Sequence, residues 1–219
     1  LAYSSVENIG IITLGLGMGL IGMSTASPML MILGFGGGLL HLLNHAFIKG
    51  LLFLGAGAII HATGTRDLNH LGGLLKSMPW TGSAFLFGAV AITGLPPFNG
   101  FLSEFLIYLG ALRGMQSFGG VTAVTLLGVI AGLALIGGLA AACFAKAVGA
   151  AFLGEPRSHE EQHWHEPGQA MRWSPFSLVI GCVLISLCAP TILVHLLAPT
   201  LNITTHLPAP VVQTILAQT

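Results

Sequence analysis

The sequence predicts an all-α integral membrane protein, a bundle of about five transmembrane helices with one of them broken. Three observations predict it. Of 219 residues, 54% are hydrophobic and only 6% charged, with a mean hydropathy of +0.88, whereas soluble domains carry roughly 25% charged residues. The apolar runs are continuous over about twenty or more residues, while membrane barrel strands alternate in segments of about ten. One interruption, "TGLPPFNGF", falls inside such a run rather than between two. The formal net charge is zero, which argues against a nucleic-acid ligand and against a polybasic lipid-binding patch.

The first span covers about residues 6–23. It follows "LAYSSVENIG" with no initiator Met, basic n-region or cleavage site, so the chain is expected to be a fragment or the later half of a longer protein. Ser4-Ser5-Val6-Glu7 matches a capping box with Ser4 as N-cap. The second span covers about 29–61 and the third about 79–112. Inside the third, Pro96 and Pro97 remove two amide donors, and Gly94 and Gly100 add freedom on either side. The expected break runs from Gly94 to Gly100. An unwound segment at membrane depth survives only where protein buries it or where it lines water, and broken helices mark ion sites in transporters. The plain alternative is two helices joined by a short loop. The fourth span covers about 121–152 and the fifth about 175–198. Spans two to four exceed the minimum length, so tilt, extension or a break is expected.

This divides the chain into membrane helices over 1–152, a polar loop over 153–174, a further span over 175–198 and a tail over 199–219. If each segment crosses once, Arg66, Lys76, Arg157 and Arg172 share one side and Arg113 alone takes the other. The basic side is the cytoplasmic one, which places loops 62–78 and 153–174 in the cytoplasm and the tail outside. Glycines in "GLGMGL", "GFGGGL" and "GAGAI" let helices approach closely. Cys143, Cys182 and Cys188 form no CxxC and read as small buried hydrophobes.

The chemistry concentrates in "HLLNHAFIKGLLFLGAG", which carries His41, His45 and Lys49 at steps of four. Each step advances about 400°, so the three drift only about 40° apiece and form one stripe, rising about 6 Å per step. Direct hydrogen bonds cannot bridge such steps, but a relay with water between the groups can. His titrates near neutrality, and each isolated charge would cost several kcal/mol at the bilayer centre. The structural alternative is a set of interhelical hydrogen bonds, with Lys49 reaching toward an interface. Glu104 follows the break, deep in the membrane, where it serves either proton transfer or the N-terminus of the second half-helix. Glu7 and Lys146 are further candidates for proton transfer, set against capping for Glu7 and snorkelling for Lys146. The loop "GEPRSHEEQHWHEPGQ" gathers His159, Glu160, Glu161, His163, His165 and Glu166 without the spacing of a closed zinc site. "NIT" at Asn202 fits a glycosylation pattern too short to be informative. No metal site, cofactor-binding motif or enzyme active site is expected in the chain.

"HLLNHAFIKGLLFLGAG" resembles the HxxxHAxxKxLLFL signature of the antiporter-like subunits of respiratory complex I, Mrp cation/proton antiporters and group 4 membrane-bound hydrogenases. "LAYSSVENIGII", "HATGTRDLNHLGGLLKSMPW", "GLPPFNGFLSEFLIY" and "FAKAVGAAFLGEPRS" are most similar to the hydrogenase-4 and formate hydrogenlyase branch. The resemblance runs from residue 1 to about residue 167. It implies most of the second of two inverted five-helix repeats, with relay roles for His41, His45, Lys49 and the broken-helix Glu104. Lys146 falls where this branch also has a lysine, and Glu7 where relatives carry other polar residues. The first repeat, with its own glutamate and lysine, would lie elsewhere. The implied function is proton translocation in the inner membrane, coupled to redox chemistry in partner subunits. The alternatives are a subunit of an Mrp-type sodium/proton antiporter, or a non-conducting scaffold. Implied partners are other membrane subunits, peripheral redox subunits, protons and water.

Overall fold

A computed structural model describes residues 1–155, 157 and 164–217, and helices with no strand make up its regular structure among those residues. Helix α1 (Ala2–Ser24) turns at Thr25 into α2 (Pro28–Thr63). Ser27 caps α2 through its hydroxyl, Pro28 takes the first turn, and Gly64 closes the helix in the left-handed conformation at φ 69°. Short α3 (Leu74–Ser77) leads to the third span, which is two helices, α4 (Pro79–Ile92) and α5 (Asn99–Ser117). Then come α6 (Gly120–Phe152) and α7 (Gln169–Leu187). Among the described residues four helices, α1, α2, α6 and α7, are long and apolar enough to cross a membrane, and α4 is a shorter apolar helix.

The α1–α2 hairpin is the most extensive helix contact in the bundle, and glycine lets it close. A Cβ on Gly15 would lie 2.9 Å from the Gly38 Cα, and one on Gly19 would lie 2.7 Å from the Phe35 ring. One on Gly34 would collide with the Gly19 backbone. In lipid, where apolar side chains gain little by meeting one another, such close backbone approach is a main source of helix association. Helix α2 is the hub, touching α1, α4, α5 and α7. One apolar core joins α1, α2, α5 and α6 around Met18, Leu30, Leu33, Ile107 and Leu126. A second joins α2, α4, α6 and α7 around Ile48, Leu52, Phe85, Phe152 and Cys182.

Several expectations need correction. The fifth span starts at Gln169, not 175, and Pro175 sits within it. After Cys188 the chain continues as α8 (Ala189–Ile192), a π-helical turn (Leu193–Leu197), α9 (Ala198–Thr205) and α10 (Ala209–Ala217). Pro190 and Pro199 start fresh helical segments, where a missing amide is tolerated. The expected tail over 199–219 is thus not bare across its described residues, 199–217, because Leu201, Val212 and Leu216 bury against the first core. Cys182 is buried as expected, but Cys143 and Cys188 face outward from the described bundle.

The loops after α2 and α6 meet at one end of the bundle. Lys76 pairs with Glu155 at 2.6 Å, Gly73 N–H donates to the Leu153 carbonyl at 3.0 Å, and Arg157 reaches the Leu68 carbonyl at 3.4 Å. Glu166 holds the start of α4, its carboxylate accepting from Trp80 N–H (2.7 Å), Thr81 N–H (3.1 Å) and the Thr81 hydroxyl (2.9 Å). Those amides are orphan donors of a helix N-terminus, so an acid from another segment satisfies them. Glu166 is therefore a cap. His159, Glu160, Glu161 and His163 lie outside the described residues, and among the described ones no group of three potential metal ligands is found.

Candidate functional site

His41 sits where α1, α2 and α5 meet, 2% exposed. Its Nε2 is 3.1 Å from the Asn8 Oδ1 on α1, and its Nδ1 is 2.9 Å from the Ser103 hydroxyl on α5. Around it lies a sheath of neutral polar groups. The Asn44 amide donates to Ser103 Oγ (3.0 Å) and to the Asn99 carbonyl (2.6 Å), and Asn99 donates back to Asn44 Oδ1 (3.2 Å). The Asn8 amide donates to the Ser4 carbonyl at 2.8 Å. His41, Asn8, Asn44, Asn99 and Ser103 are all buried. Burying so many polar groups is tolerable because most of them pair with one another, although Asn99 Oδ1 has no hydrogen-bond partner among the described residues.

Two turns along α2, the Lys49 ammonium donates to Ser4 Oγ at 2.7 Å and to the Leu1 carbonyl, and lies 5.1 Å above the Phe53 ring. Its nitrogen therefore points into the bundle at the start of α1, and the side chain is buried. The same contacts overturn the expected capping box. Ser4 lies inside α1, which begins at Ala2, and its hydroxyl donates to the Leu1 carbonyl at 2.9 Å while accepting from Lys49. Glu7 is half-buried on the next turn, its Oε1 buried without a hydrogen-bond partner among the described residues. His45, between His41 and Lys49, is half-buried, and its Nε2 is likewise buried and unpaired among the described residues.

The break leads directly into α5. Helix α4 stops at Ile92, Gly94 turns left-handed at φ 65°, Pro96–Pro97 is cis, and α5 starts at Asn99. Gly100 belongs to the first turn of α5 rather than to the unwound segment. A Cβ there would strike the Ala91 carbonyl oxygen, so its role is close approach of the two half-helices. Gly94 meets Glu104 directly. A Cβ at position 94 would lie 2.6 Å from one carboxylate oxygen and 2.9 Å from the other. Glu104, 7% exposed, thus rests its carboxylate on the backbone of the break.

The structure brings Glu7, His41, His45, Lys49 and Glu104 into the same group of helices. Lys146 stands apart, on an outward face of α6. Sequence reasoning missed Asn8, Asn44, Asn99 and Ser103. The available signal was spacing: Ser4 and Asn8, like Asn99 and Ser103, stand four apart, and Asn44 interrupts the His41–His45 step.

The fold and the site define a polytopic helical membrane protein with one broken helix and ionisable groups converging in its interior. The chain belongs to the NADH:quinone oxidoreductase/Mrp antiporter transmembrane family, whose model matches residues 1–131. Among curated relatives, Hydrogenase-4 component B of Escherichia coli is 46% identical over 193 residues, covering 86% of this chain and 28% of the relative. Formate hydrogenlyase subunit 3 of the same organism is 45% identical over 195 residues, covering 88% and 32%. A Na(+)/H(+) antiporter protein of Alkalihalophilus pseudofirmus is 41% identical over 119 residues, covering 53% and 15%. The chain therefore spans about a third or less of the length of these relatives. A structure of the Mrp complex from Dietzia sp. contains a similar fold, with a TM-score of 0.62 at 20% identity, covering 98% of this chain and 47% of that one.

Proposed function

We propose that this chain carries part of the proton path through the membrane portion of a hydrogenase-type or complex I-like oxidoreductase. The observation that supports it most is the burial of His41, Lys49 and Glu104 within one bundle of apolar spans. Ionisable groups so placed are expensive to hold in a membrane, and proton pathways are a principal reason to keep them. In this reading Lys49, His45 and His41 form an arm along α2, and Glu104 receives the proton at the break. The steps along α2 rise about 6 Å each, so water carries the proton between side chains. Asn8 does not conduct. Its amide donates on one side and accepts on the other, which orients its neighbours and passes no proton. Charge changes in partner subunits would shift the protonation of Lys49, and Lys49 and Glu104 would then titrate as a coupled set.

The redox centres belong to other subunits, and no cofactor is assigned to this chain. Its partners are further membrane subunits and peripheral redox subunits. The membrane is the inner one, with loops 62–78 and 153–174 on the cytoplasmic side. Likeness to the hydrogenase relatives over 86–88% of the chain, against 53% for the antiporter protein, favours the hydrogenase context. Sodium/proton exchange is the second reading. Lys49→Ala and Glu104→Gln, introduced into the assembled complex, should each abolish redox-driven proton uptake by inverted membrane vesicles. Undiminished uptake in both would overturn the proposal, and sodium-dependent uptake would select the antiporter reading.

A further inference from the structure

The hydrogen bonds around His41 fix more than its position. Asn8 donates through Nδ2 to the Ser4 carbonyl, so the atom it turns toward His41 is its oxygen. An amide oxygen only accepts. The His41 Nε2 must therefore carry a hydrogen in every protonation state. On the other side, Ser103 Oγ lies 2.9 Å from His41 Nδ1 and 2.9 Å from the Gly100 carbonyl, and it accepts from Asn44 at 3.0 Å. Asn44 is itself fixed in orientation by Asn99. The serine hydroxyl has one hydrogen, two acceptor positions and two places to send that hydrogen.

We infer that Ser103 is a positioning residue for His41: its hydroxyl turns between Nδ1 and the Gly100 carbonyl, making Nδ1 the nitrogen at which His41 gains and loses its proton. With neutral imidazole, Ser103 donates to the Nδ1 lone pair. With imidazolium, Nδ1–H donates to Ser103 Oγ, and the hydroxyl hydrogen swings to the Gly100 carbonyl. Protonation forms one N–H bond at Nδ1 and breaks one bond to hydrogen on the donor, a hydronium ion or a carboxylic acid. Ser103 ends with the one hydrogen it began with. Asn44 donates to Oγ in both states, so neither state leaves a buried donor without an acceptor. That is the condition a buried site must meet to hold two protonation states. The exchange therefore faces α5, the helix that carries Glu104, and not α1.

This inference rests on the proposed proton path, and the experiment separates the two. The assembled complex is labelled with 15N-histidine in its membranes, and the His41 resonances are assigned by difference with His41→Gln. Neutral His41 should carry its hydrogen on Nε2. Ser103→Ala should assemble and lose proton uptake by roughly tenfold or more, the scale of a lost hydrogen bond to a charged group. Ser103→Thr should recover most of it, because only the hydroxyl is required. A hydrogen on Nδ1 of neutral His41, or undiminished uptake in Ser103→Ala, would overturn the inference. If Ser103→Thr cannot pack its extra methyl, the tautomer and the alanine variant still decide. Should Lys49→Ala and Glu104→Gln be inactive while Ser103→Ala is normal, this inference alone fails. Normal uptake in all three would sink the proton path as well.

Discussion

Gly94→Ala tests the break at its most constrained atom. The residue sits at φ 65°, a left-handed conformation that costs an L-residue about 1–2 kcal/mol. Its new Cβ would stand 2.6 Å from Glu104 Oε2. Contact distance is restored only by moving the carboxylate about 1 Å, and a displacement of that size at a reacting group can cost about 10²-fold in rate. The two effects separate experimentally. Gly94→Asn keeps the steric conflict but tolerates the left-handed backbone better, so it should lose less thermal stability than Gly94→Ala. Both should lose proton uptake. The assay pairs blue native gels and thermal unfolding of the complex with pH-gradient formation by inverted vesicles. An alanine variant that assembles, melts and pumps as wild type would refute the contact between the break and Glu104.

Other parts of the bundle give three further expected outcomes. Asn44→Leu leaves Ser103 and Asn99 short of a partner in a buried site, and should destabilise the fold by about 1–3 kcal/mol, read as a lowered thermal midpoint. Gly34→Leu drives a side chain into the Gly19 backbone and should separate α1 from α2, seen as loss of assembled complex on native gels. Glu166→Ala removes the acid that caps α4 and should cost about 1–2 kcal/mol. The same thermal assay measures it, with the Lys76–Glu155 surface pair as the neutral control.

How far the sequence revealed the molecule depended on the kind of signal. Hydropathy located the first four long apolar segments because lipid imposes one requirement on every residue of a run. Steps of four placed His41, His45 and Lys49 on one stripe because helix geometry is fixed before any partner is known. Pro96 and Pro97 located the break for the same local reason. Ser103 and Asn8 stayed hidden because a neutral polar residue in a membrane helix carries no signal until its partner on another helix is seen. Ser4 and Glu7 matched a capping box, but Lys49 draws on the Ser4 hydroxyl from 45 positions away in sequence. Glu166 shows the converse case. In sequence it reads as one acid of a polar, solvated loop, whereas the group it binds, the start of α4, is 85 positions away. The helices after Cys188 were likewise decided by packing of Leu201, Val212 and Leu216, not by their own weak pattern.

The most direct measurement is the number of protons moved per electron pair by the assembled complex in inverted vesicles, with Glu104→Gln and wild type compared at equal redox turnover. If Glu104 receives the proton at the break, the variant keeps its electron transfer while this chain's contribution to the proton count vanishes. A proton count equal to wild type would contradict it.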